Sequence, residues 1–199
     1  MKFLVPVGGV IDENFGVLTS PATRGIAAGI SSGLAWAADN QAYTQGFDPQ
    51  KYFPWLETHL PYQDTYLFVA VPDVVGNAQA TLQNYYSWRP LFDSWPVAFV
   101  GQDGSEPTDI PASATTLFVG GTTDWKESAD AITMIRAAQD RGMHIHIGRV
   151  NWGRRYKLFS VLKGSENFTC DGTRTRYEGT EKSLKAWKGY NDQPPLITI

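Results

Sequence analysis

Short, unbroken apolar runs recur along this chain and constrain it more than any other feature. They occupy residues 3–7, 15–19, 34–38, 66–71, 97–100, 116–119, 144–147 and 168–170. Most are rich in Val, Ile and aromatic residues and read as continuous rather than alternating. Strands covered on both faces carry that pattern, as in a parallel sheet. Helical stretches lie between several of them. In 124–141, Trp125, Ala129, Ile132, Ile135 and Ala138 recur at spacings of three and four and form one apolar stripe. Asp124 followed by Glu127 fits a capping box, and Gly142 fits a stop. Residues 49–60, 77–94, 153–163 and 180–190 are further helix candidates. Pro49 suits a first helical position, and Pro54 and Pro61 limit or end that helix.

Strand–helix alternation with eight strand candidates predicts an α/β fold, a compact (β/α)8 TIM-like barrel. At 199 residues the chain stands at the lower end of that fold's range of roughly 200 to over 400 residues, so its loops must be trimmed. The stretch 103–115 is too rich in Pro, Ser and Asp for a good helix, and one crossover is expected to lack its helix. An open doubly wound sheet is the alternative. No repeat, linker or low-complexity tract divides residues 1–199, which read as a single domain.

Composition narrows the function classes. With 42% hydrophobic and 13% aromatic residues, the chain can repay the entropy of ordering and is not a disordered tail. No apolar run approaches the ~20 residues of a bilayer span, so no membrane partner is expected. The first residues hold one lysine and a short apolar stretch broken by Pro6, which is not a signal-peptide pattern; a cytoplasmic location is expected. The single cysteine, Cys170, forbids an internal disulfide and any multi-cysteine zinc site. It reads as a small buried hydrophobe. The net charge of −3 is uneven: residues 142–190 carry +6 and the remainder −9. That basic quarter fits a polyanion-binding edge, and equally an ordinary solvated surface.

The polar residues directly after the apolar runs are informative. Asp39-Asn40, Asp73, Gln102-Asp103, Gly120-Gly121, Gly148-Arg149 and Asp171 all stand at the ends of strand candidates. In a β/α barrel the C-terminal strand ends converge on one mouth, where several strands contribute catalytic groups. Acids, an amide, a Gly-Gly pair and an arginine are therefore expected in one pocket, although Asp, Asn and Gly also end strands merely as turn formers. Gly120-Gly121 is not followed by a phosphate-loop Lys-Ser/Thr and no GxGxxG is present, so no nucleotide cofactor is supported. His144 and His146 share a face without a third ligand nearby and make a weak metal pair; no metal is expected.

The ordered set of strand-end motifs resembles the queuine/tRNA-guanine transglycosylase superfamily. The likeness is greatest to the short phage and bacterial members that insert 7-deazaguanines into DNA. It runs from about Leu18 to Tyr190 and is carried by Ala37-Ala38-Asp39-Asn40, Val71-Pro72-Asp73, Val100-Gly101-Gln102, Val119-Gly120-Gly121, Ile147-Gly148-Arg149 and Cys170-Asp171-Gly172-Thr173-Arg174-Thr175-Arg176. The resemblance implies Asp171 as nucleophile at C1′ and Asp39 as general acid and base. It implies Asp73, Gln102 and the Gly121 N–H as readers of the guanine edge, with Gly120, Gly148 and Arg149 lining the base site. Arg154, Arg155, Arg174 and Arg176 would hold phosphates. The tRNA enzymes of the family carry a three-cysteine, one-histidine zinc site that this chain cannot build, and the chain lacks their insertions, so DNA is favoured over tRNA. The implied partners are guanine-containing DNA with a flipped or single-stranded base and a 7-deazaguanine of the 7-cyano (preQ0) type. No cofactor is implied, and a homodimer is left open. A phage-encoded member would work in the host cytoplasm. A tRNA-directed exchange, a nucleoside or glycoside hydrolase using the same acids, and a non-catalytic nucleic-acid-binding module remain as alternatives.

Overall fold

The computed structural model describes residues 2–6, 12–150 and 167–173, with 179, 182, 185, 186 and 189. Eight parallel strands form a closed barrel in sequence order: β1 (Lys2–Pro6), β2 (Phe15–Thr19), β3 (Trp36–Ala38), β4 (Tyr66–Ala70), β5 (Val97–Gly101), β6 (Thr116–Val119), β7 (His144–Ile147) and β8 (Phe168–Asp171). β8 closes the ring by pairing with β1, Phe3 beside Cys170 and Leu4 beside Asp171. All eight apolar runs are strands, and the barrel rather than the open sheet is formed.

Closure explains why the runs are continuous. Successive side chains point alternately inward and outward, and here both directions are dry. One direction packs against the helices: Phe3, Val5, Phe15, Val17, Trp36, Val69, Val97, Phe99, Leu117, Ile145 and Cys170 join Ile30, Tyr52, Leu56, Tyr85, Met134 and Ile135. The other fills the barrel, where Leu4, Leu18, Ala37, Phe68 and Ala98 form a second cluster against Phe118. Small residues on β2, β3 and β5 face large ones on β4 and β6. The rings of Phe68 and Phe118 meet edge to face at 6.0 Å.

Five helices are described: α1 (Ala28–Ser31), α2 (Pro49–Glu57), α3 (Ala78–Trp88), α4 (Thr123–Lys126) and α5 (Ala129–Asp140). Asp48 caps α2 and Asn77 caps α3 through side-chain bonds to Gln50 N and Ala80 N. The crossover from β5 to β6 holds only a 3₁₀ turn, Pro107–Asp109, so the helix-free connection is real. Two expectations need correction. The 124–141 stripe is not one helix, because Ser128 breaks it and starts α5 by accepting from Ala131 N. The cap at its start is Thr122, accepting from Trp125 N, rather than Asp124. The helix at 28–31 carries no clear sequence signal. The candidate at 153–163 lies outside the described residues, as does most of 180–190. Among the described residues, no helix is long and apolar enough to cross a membrane.

Gly16 stands where the interior has no room for a side chain. A Cβ there would stand 2.5 Å from Leu4 Cδ2 and 2.6 Å from the Ala35 carbonyl oxygen. Gly16→Ala is expected to lower stability by about 1–3 kcal/mol, the range for overpacking, read as a lower denaturation midpoint at unchanged m-value.

Candidate functional site

A cavity of about 400 Å³ opens at the C-terminal ends of the strands. Asp39, Asp73, Gln102, Gly120, Gly121, Gly148, Arg149 and Asp171 all line it. They come from strand ends spread around the ring, and only closure brings residues 39 and 171 into one chamber. Arg154, Arg155, Arg174 and Arg176 lie outside the described residues. Asp103, the acid that follows Gln102 after β5, is not in the cavity lining. Its carboxylate accepts from Thr122 N at 2.7 Å and from Thr122 Oγ1 at 2.5 Å, tying the β5 and β6 loops together.

Asp73 and Gln102 form the polar floor. Asp73 Oδ1 accepts from Asn40 Nδ2 at 2.8 Å, and Oδ2 accepts from Gln102 Nε2 at 2.6 Å. Gln102 Oε1 in turn accepts from Gly76 N at 2.9 Å and Gly121 N at 3.0 Å. The donors of this network are thus matched to acceptors, as buried polar groups require. Burial pushes the Asp73 carboxyl above its ordinary range, opposed by the bonds from Asn40 and Gln102. Gly121 has φ +58°, and a Cβ there would meet the Trp125 ring at 2.5 Å. A side chain at Gly120 would meet Val100 Cγ1 at 2.7 Å and Gln102 Nε2 at 2.9 Å. Both glycines keep the backbone close to the Gln102 amide. The Gly121 N–H, expected to be open toward a ligand, is committed to Gln102 Oε1.

Asp171 ends β8 and is 8% exposed. Its Oδ1 accepts from Arg149 N at 2.8 Å and lies 3.2 Å from His146 Nε2. Arg149 reaches this geometry in a left-handed backbone conformation, φ +59°, which is uncommon for a residue with a side chain. Its guanidinium stands 4.1 Å over the Tyr43 ring, and Nη2 donates to the Gly121 carbonyl. The arginine therefore ties the β7, β6 and β3 ends together. The Gly148 carbonyl beside it accepts from the buried Lys126 Nζ at 2.8 Å.

Asp39 directly follows β3, and its Oδ1 accepts from Gln41 N at 2.9 Å. Its carboxyl is pushed up to about 6, first by burial and further by the negative charges of Asp171 and Asp73. One carboxyl that exchanges protons near neutrality therefore faces a second that is held by donated hydrogen bonds. Such a pair suits acid–base work combined with nucleophilic attack.

Other residues belong to the site although sequence reasoning gives them no role in it. Thr19 ends β2 and lines the cavity; its Oγ1 is buried with no hydrogen-bond partner among the described residues. Its only sequence signal is its place at a strand end. His146 and Thr169 stand below Asp171 inside the barrel, where the alternation of 144–147 points inward. Cys170 is buried in the outer layer, and burial raises its thiol well above the usual range, as expected of a packing residue. Among the described residues no group of three or more His, Cys, Asp or Glu is placed to hold a metal ion.

No family model matches the sequence, and no curated protein matches it significantly. One solved structure, a mandelate racemase/muconate lactonizing enzyme-like protein from Rubrobacter xylanophilus, is similar at 14% identity and a TM-score of 0.49. The similarity covers 84% of this chain and 48% of that one, so the chain spans about half the length of that structure. A likeness this distant carries nothing about the reaction.

The raised Asp39 carboxyl has a stability consequence. A carboxyl with a higher pKa folded than unfolded favours the folded state below its unfolded value, and this contribution is lost as pH rises through the folded value. Asp39→Asn retains an oxygen for Gln41 N and does not titrate. The variant's melting temperature relative to the parent should rise between pH 4 and pH 7 and then level off. The full effect is at most about 3 kcal/mol, reduced where cavity water screens the carboxylate. A difference independent of pH would show that Asp39 is not perturbed.

Proposed function

We propose that this chain is a base-exchange transglycosylase that replaces guanine in DNA with a 7-deazaguanine of the 7-cyano type. The observation that carries the reading is the meeting of Asp171 and Asp39 in one cavity across the Asp73–Gln102 floor. Breaking a C1′–N9 bond develops oxocarbenium character, which a carboxylate facing C1′ stabilises and can trap. Asp171 is the group for that role. Asp39, titrating near neutrality, gives a proton to the departing guanine and later takes one from the incoming base. Two displacements retain the sugar configuration.

Guanine presents N1–H and N2–H donors, and carboxylate oxygens each accept more than one bond. Asp73 therefore has lone pairs left for them beside Asn40 and Gln102. Guanine O6 is served by Gln102 and the Gly121 N–H once their mutual bond opens. Adenine would oppose its own donor to these donors and lack the partner Asp73 requires, a mismatch that discriminates strongly. A base reaches a barrel mouth only out of the stack, so the DNA is single-stranded or its base is flipped. Phosphate contacts fall to the basic C-terminal quarter, including Arg154, Arg155, Arg174 and Arg176.

Incubation with guanine-containing DNA and 7-cyano-7-deazaguanine, followed by nucleoside mass analysis, should reveal the deazaguanosine. Asp171→Ala should abolish it while the far-ultraviolet spectrum and DNA retention persist. Free guanine released without incorporation would make the chain a hydrolase, and product from tRNA alone would redirect it to RNA. DNA binding without any product would leave a binding module.

A further inference from the structure

The barrel interior holds a polar column that the proposed chemistry does not use. His144 Nε2 lies 2.8 Å from Thr169 Oγ1, and His146 Nδ1 lies 2.9 Å from the same oxygen. His146 Nε2 lies 3.2 Å from Asp171 Oδ1. His146 is fully buried, with its ring centroid 5.0 Å from that of Phe68 and 4.5 Å from that of Phe118. These rings pack against the imidazole, and both of its nitrogens are partnered.

We propose that His146 is the positioning residue of Asp171, a neutral imidazole that donates its Nε2–H to Oδ1 and leaves Oδ2 to the cavity. Hydrogen accounting supports it. An ionised carboxylate only accepts, and Oδ1 already takes the Arg149 N–H, so the nitrogen facing it carries the hydrogen. In a neutral ring Nδ1 is then the acceptor, and the Thr169 hydroxyl donates to it. That hydroxyl has one hydrogen, so it accepts from His144 Nε2–H. Each donor in the column is used once, all in the direction of Asp171. The opposite tautomer of His146 would set a lone pair against the carboxylate. Burial holds His144 down at about 4, so it stays neutral at physiological pH as this direction requires. Among the described residues no bond is made to Asp171 Oδ2. A carboxylate fixed through one oxygen from below presents the other to a reacting carbon in a single orientation, which is the preorganisation that attack at C1′ needs.

The role in attack rests on Asp171 being the nucleophile, but the hydrogen-bond column is tested separately. Nitrogen-15 spectra of the histidine-labelled full chain at pH 7 should show the His146 and His144 rings protonated at Nε2 and bare at Nδ1. Thr169→Val should remove this preference from His144, whose Nε2 loses its partner, while Asp171 keeps His146 protonated at Nε2. A His146 ring protonated at Nδ1, alone or together with Nε2, would overturn the proposal. In the exchange assay His146→Leu should lower kcat by roughly 10- to 100-fold, the range for orienting partners, with little change in KM for the incoming base. His146→Gln, which restores an N–H near the Nε2 position, should recover most of that loss. Equal loss in both variants with folded protein would also overturn it. If the parent chain exchanges no base, the transglycosylase reading fails, while the spectra still decide the column.

Discussion

Pairing of β1 with β8 is the contact on which the rest depends. A parallel sheet has no stable face toward water, and an open one also has two edges with unpaired backbone groups. Joining the first and last strands removes the edges and encloses an interior. That interior must then be filled by side chains that fit. Leu4, Leu18, Ala37, Phe68 and Ala98 do so, and the absence of a side chain at Gly16 leaves room for Leu4.

The same closure permits a polar upper half. Buried acids are costly unless hydrogen-bonded, and here each acid is met by donors from a neighbouring strand or from its own loop. Asp73 is met by Asn40 and Gln102, Asp171 by Arg149 N and His146, and Asp39 by Gln41 N. Two of the donors come from residues in left-handed backbone conformations, Gln41 and Arg149. Both line the cavity. Strain of this kind persists where surrounding bonds over-determine it, and these two loops are held in that way by the carboxylates they serve.

Much of this is legible in the sequence, for reasons particular residues make plain. Strands such as Tyr66–Ala70 and Val97–Gly101 announce themselves because both faces are apolar. The polar residue after each is legible because a barrel has its mouth at that end. The break within 124–141 is hidden because Ser128 sits in an otherwise unbroken apolar period, and a cap is recognised only when its hydroxyl is seen to accept from Ala131 N. Asp103 looks equivalent to Asp73 in sequence, yet it turns to Thr122. His146 is visible as one of an alternating pair, but its partners, Thr169 and Asp171, are more than twenty residues away along the chain.

Local pattern alone therefore determined the strands, the helix-free crossover after β5, and the set of side chains at the barrel mouth, because burial on two faces and strand-end position are properties of short segments. Tertiary structure decided which of those side chains touch. Whether Gly121 N–H is open or bonded to Gln102, whether Arg149 faces a ligand or spans Tyr43 and Gly121, and whether a histidine stands beneath Asp171 are settled by distances across the ring. Those distances are set by the register of strands that meet only when the barrel closes.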